Sequence, residues 1–224
     1  MKFLPEHQVA DRPVFAWLIV ALAGVVAPAG ALVMAPDPRA AGTVVAIGMM
    51  AAGMIAAAAA GRFAFGVVVA LMAGAGLVLL ALALGLPALH APTATVLAAI
   101  IASVSFAARG RLFACSAAAR GWWIAVAVVA GEAAVLLTAA AMPGAWPGWV
   151  LALLPVQWAT LALQVGLTGS GAAVASIALL ALGATAAATL LVARLWPRRW
   201  PYLIMFTTWL GVSALVWERW SAIL

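Results

Sequence analysis

Eight apolar runs divide this chain, falling at about 14–34, 41–60, 64–87, 92–108, 122–142, 147–167, 171–193 and 201–217. Each is close to the roughly 20 residues that a helix needs to cross a hydrocarbon core of about 30 Å. The runs are continuous and do not alternate, which argues against a β-barrel. Of the 224 residues, 69% are hydrophobic and 7% charged, against about 45–50% and about 25% in soluble domains. A water-soluble globule is excluded, and so apolar a chain is not disordered. The expected fold class is all-α: a polytopic integral membrane helical bundle of about eight transmembrane helices. It forms a single transmembrane domain over 1–224 with no soluble domain.

Positive charge orients such a bundle, because cytoplasmic loops carry the excess of Lys and Arg. With eight crossings and a cytoplasmic N-terminus, the count is 7 inside (Lys2, Arg12, Arg62, Arg109, Arg111, Arg120, Arg219) and 4 outside (Arg39, Arg194, Arg198, Arg199). The Arg194–Arg199 cluster is the misfit. If one segment between the fifth and eighth runs failed to cross, the count would become 9 against 2 (Arg39 and Arg219). Seven crossings with a re-entrant segment is therefore the alternative, with the Gly-rich turn at Gly166–Gly171 as its expected bend. The first run follows Lys2 and Arg12, and Ala27-Pro28-Ala29 loosely resembles a signal cleavage site. The run is longer than a usual signal core, so it is expected to stay as a helix. Heavy use of Ala, with ten Arg against one Lys, suggests a bacterial source and the cytoplasmic (inner) membrane.

Two local patterns bear on packing. Gly48, Ala52, Ala56 and Ala60 recur every fourth residue, a smooth stripe that lets a neighbouring backbone approach. That second run is expected to be surrounded by other helices, of this chain or of a partner. Tryptophan is uneven: one in residues 1–120, ten in 121–224. Most sit at run ends, as an interfacial belt requires, but Trp158 and Trp209 fall nearer run centres. Pro28 and Pro155 should kink or loosen their helices. The longest loop is expected at about 109–121, carrying Arg109, Arg111, Cys115 and Arg120.

Glu132 is the sharpest chemical feature, as the only acidic residue well inside an expected span. A charge at mid-bilayer costs about 2.5–3.5 kcal/mol by insertion scales, so such residues mark proton relays, ion sites or substrate anchors. A neutral acid bonded to a neighbouring helix is the structural alternative. No basic residue is expected at mid-span, which makes a proton the cheapest counter-ion. Gln157, Thr160 and Gln164 follow i, i+3, i+7 spacing and share one face of the sixth run. With Glu132 they form the candidate proton, ion or substrate site. Arg109, Arg111, Arg120, Arg194, Arg198 and Arg199 are expected at headgroup depth, touching anionic lipid or a partner. His90 is expected to be a solvated loop residue.

Other classes lack their residues. One cysteine and two histidines leave no cysteine metal cluster and no bis-histidine haem pair. No transmembrane lysine is present for a retinal Schiff base, and there is no metalloprotease or phosphate-loop motif. No catalytic residue, metal or cofactor is expected, and the net charge of +6 is not a nucleic-acid footprint. Expected partners are membrane lipids and other membrane subunits. The preferred reading is an accessory or assembly subunit of a bacterial membrane complex. The alternatives are a small proton-coupled transporter or channel using Glu132 and, more weakly, an intramembrane enzyme on a lipid.

Overall fold

A computed structural model describes residues 7–34, 37–86, 89–169 and 172–222. Of the residues singled out above, Lys2 and the Ser170-Gly171 end of the Gly-rich turn lie outside them. Ten α-helices follow one another among the described residues, with no strand. The first span is α1 (His7–Ala21), a π-helical turn (Leu22–Val26) and α2 (Ala27–Met34). The widened turn lies just before Pro28, whose ring removes a donor and crowds the preceding turn. Next come α3 (Pro38–Ala60), α4 (Phe63–Ala83), α5 (Pro92–Ala117) and α6 (Gly121–Ala141). Then follow α7 (Gly148–Ala152), α8 (Pro155–Thr168), α9 (Ala172–Arg194) and α10 (Trp200–Ser221).

Six runs of described residues are long and apolar enough to cross a membrane. The longest, Pro92–Ala141 at 50 residues, is two helices, α5 and α6, joined by a 3-10 turn at Ala118–Arg120. The chain reverses there, with Ala118 at φ 46°, and α6 runs back along α5.

Three sequence expectations are corrected here. The fourth run does not end at 108: α5 continues to Ala117, so Arg109 and Arg111 are helical and the expected long loop is absent. Cutting at charges hid this, because a helix tolerates Arg wherever a partner waits. The sixth run is not one helix. Pro155 lacks the N–H that would continue α7, and the break at Leu153–Leu154 leaves helices of 5 and 14 residues. At 1.5 Å per residue α8 is only about 21 Å long. A third difference is where the chain turns: the Gly-rich stretch separates α8 from α9, with Gly169 at φ 76°, and the sixth run has a further break at 153–155.

Contacts between helix ends fix the layout. Ala91 N–H donates to the Gly166 carbonyl, and a Cβ on Gly42 would meet Gln164 at 3.2 Å. The start of α3, the start of α5 and the end of α8 thus share one end, here the upper end. Arg111 reaches the Gly61 carbonyl in the α3–α4 turn at the opposite, lower end. The end of α6 is upper, since α6 runs antiparallel to α5. From there α7 descends beside Trp217 of α10, turns at mid-depth, and α8 climbs back to the upper end. The α7–α8 unit is a hairpin that enters and leaves at the same end.

Helix α3 sits at the centre, packed on α4, α5, α8 and α6, and 72% of its span is buried. Its small-residue stripe serves contacts within the chain. Gly48 packs on Leu77 and the Gly24 carbonyl, and Ala52 packs on Gly24. Gly110 allows α5 to close on α3, since a Cβ there would collide with the Met54 carbonyl oxygen.

Candidate functional site

Glu132 lies eleven residues into α6, about 16 Å along the helix from Gly121. It is 7% exposed. Because α5 and α6 run antiparallel about the turn at 118–120, Arg109 of α5 comes level with it. Arg109 Nη2 donates to Glu132 Oε1 in an ion pair. The second carboxylate oxygen, Oε2, accepts from the Val156 N–H at 3.4 Å. Val156 belongs to the first turn of α8, where backbone N–H groups have no intrahelical partner and the helix dipole is positive. The carboxylate is thus held by an arginine on one helix and by the start of a half-length helix on another. The expectation that no basic residue could reach Glu132 is corrected: Arg109 is inside the bundle, two turns before the end of α5.

The hairpin that delivers Val156 has its own brace. Trp158 is wholly buried, and its indole N–H donates to the Ala152 carbonyl at 2.9 Å. This ties α8 to α7 across the break and gives a mid-run tryptophan a structural role. At the other end of α8, His90 donates from Nδ1 to the Leu167 carbonyl at 3.0 Å. His90 therefore closes the hairpin's upper end as well as meeting solvent.

Beside the ion pair is a cavity of about 510 Å³, within the about 300–1,000 Å³ typical of small-molecule sites. Its polar wall is Arg109, Glu132 and Ser105 with Thr185 and Thr189 of α9. The hairpin tip supplies Leu153, Leu154 and Pro155, and α10 supplies Met205, Phe206 and Trp209. Thr185 and Thr189 donate back to helix carbonyls, at 2.8 Å to Ala181 and 2.7 Å to Thr185. Two donors of wall residues, Arg109 Nη1 and Trp209 Nε1, are buried without an acceptor.

Of the expected site residues, Glu132 is central, and Arg109 joins it from the set assigned to lipid. Gln157, Thr160 and Gln164 are not among the residues that line the cavity. Gln157 and Thr160 are buried, the Thr160 hydroxyl has no partner, and Gln164 lies against α3. Arg111 holds the α3–α4 turn. Arg120, Arg194, Arg198 and Arg199 are exposed at the lower end, and their lipid or partner role stays a proposal. Sequence reasoning missed Thr185, Thr189, Leu153 and Leu154, which carry no signal beyond an apolar helix. No protein-family model, no curated protein and no solved structure matches this chain.

Proposed function

We propose that this chain is a proton-coupled membrane transporter of anions, with seven crossings and one re-entrant hairpin, α7–α8. The observation that carries the reading is the hairpin tip seated on a buried Arg–Glu pair at mid-depth. Broken helices and irregular backbone at that depth are tolerated where they are packed in protein or line a cavity. In transporters the N-termini of such half-helices face anionic groups near the midplane. Intramembrane ionisable pairs are expensive, and they mark ion and substrate paths.

The charge balance gives a mechanism. In the structure Arg109 is neutralised by Glu132. When Glu132 takes up a proton it releases Arg109 and the Val156 N–H, and the site then needs an anion. An entering anion restores neutrality. Loss of the proton returns Glu132 to Arg109 and expels the anion. The site's net charge is the same in both states, so neither exposes an uncompensated charge to low dielectric. Proton and anion therefore move together. With the lower end as the cytoplasmic face and Arg109 inside the bundle, the other Lys and Arg divide 8 against 2, in the direction that topology requires. The N-terminus is then cytoplasmic. The inner membrane of a bacterium remains the proposed location.

The small-residue stripe, which could have argued for an accessory subunit, finds its partners within α1–α4. The test is flux in proteoliposomes carrying an internal pH dye, against a panel of carboxylates and alkyl phosphates of short and long chain. Wild type should acidify the lumen only when a transported anion is supplied. Glu132→Gln should lose that coupling while remaining monodisperse. Equal acidification by Glu132→Gln, or none above protein-free liposomes for every anion, would refute the proposal.

A further inference from the structure

We infer that the cavity takes a single-chain anionic amphiphile that enters sideways from the bilayer, its head on Arg109 and its chain along α10. The inference rests on the site read above as a transport site, and adds its substrate class and route. The first support is the shape of the opening. Of the α7–α8 hairpin, α7 packs on α10, while α8 packs on α3, α9 and α5. α10 packs chiefly on α9 and α7, and among the described residues neither α5 nor α6 packs closely on it, although both face it across the cavity. Phe206 lines the cavity and is 50% exposed on the outer flank, so the cavity reaches the surface that faces lipid.

The second support is the lining. Apolar side chains from α5, the α7–α8 hairpin and α10 together make up most of the wall, with one cationic group among them. A water-soluble anion would gain nothing from those walls. An alkyl chain gains by leaving water; for one already held in lipid the walls supply shape and the arginine supplies selection. The third support is the pair of unmatched donors, Arg109 Nη1 and Trp209 Nε1, which call for an acceptor-rich head, a carboxylate or a phosphate. A second cavity, about 290 Å³ between the first span, α3 and α6, is lined by apolar residues and has nothing to select a head.

The test is scintillation-proximity binding of radiolabelled palmitate to the purified full chain in detergent. Unlabelled hexadecyl phosphate should compete. Acetate and inorganic phosphate, the heads alone, should not compete even at a hundredfold excess. Hexadecanol, the chain alone, should compete at least tenfold more weakly. Arg109→Gln alone leaves Glu132 unpaired, so the neutral double variant Arg109→Gln/Glu132→Gln is the cleaner probe. It should bind palmitate at least tenfold more weakly, and Thr185→Trp, which fills the cavity, should abolish binding. Palmitate binding unchanged in both variants would overturn the inference. So would competition by acetate or inorganic phosphate alone, even if pH-coupled flux of small anions is found, which would leave the transport reading intact. Binding that follows the expected pattern without any pH-coupled flux would support the ligand class and refute the transport mechanism.

Discussion

Arg109 and Glu132 illustrate how two expensive residues become one affordable feature of a membrane interior. Either charge alone at mid-depth costs about 2.5–3.5 kcal/mol or more. Paired, and with the Val156 N–H on the second oxygen, each satisfies the other. Breaking such a pair from one side leaves a buried charge uncompensated, at about 3–5 kcal/mol. Arg109→Gln should therefore destabilise the protein by roughly that amount, and the double variant Arg109→Gln/Glu132→Gln should recover most of the loss. Thermal unfolding of the three proteins in one detergent checks this. Equal melting temperatures for wild type and Arg109→Gln would mean that the pair does not form. Glu132 was legible in the sequence because a lone carboxylate in an apolar run has no bland surface to occupy. Arg109 was not, because its partner lies on another helix and a charge reads as the end of an apolar run.

At the scale of elements, the α7–α8 hairpin depends on few groups. Pro155 starts α8 because its fixed φ suits the first helical turn, where a missing N–H costs nothing. The same ring ends any continuation of α7. Trp158 then locks the two short helices by one hydrogen bond to Ala152 and by complete burial of its ring. Trp158→Phe keeps most of the buried area but orphans the Ala152 carbonyl, which should cost about 1–3 kcal/mol. The same variant should raise the reactivity of a cysteine placed at Leu154 in the hairpin tip toward a membrane-permeant thiol reagent. Unchanged reactivity and stability would remove the brace from the account. The sequence showed that Pro155 would disturb a helix. It did not show whether the result would be a kink or a reversal, because that depends on which neighbours accept the freed groups. Here Glu132 accepts the Val156 N–H, a contact between residues 24 apart in sequence.

The whole molecule is an all-helical bundle around α3, and this much was readable from run length and hydropathy alone. Hydropathy cannot tell a crossing helix from a hairpin of similar length, since both are apolar and uncharged. Charge could, because the Arg194–Arg199 cluster moves to the majority side once α7–α8 returns to the end from which it came. The proposed function rests on that return: a crossing sixth helix would carry its backbone past Glu132 with no free N–H to offer, and would fill the lower half of the cavity. The most direct test is sided labelling of single cysteines in a Cys115→Ser background, with a membrane-impermeant maleimide applied to sealed vesicles of known orientation. Ala145→Cys, Ala173→Cys and Trp196→Cys report the α6–α7 connection, the start of α9 and the α9–α10 connection. Positions 145 and 173 should label from one side and position 196 from the other. Labelling of 145 and 173 from opposite sides would make the sixth run a crossing helix and contradict the account at its root.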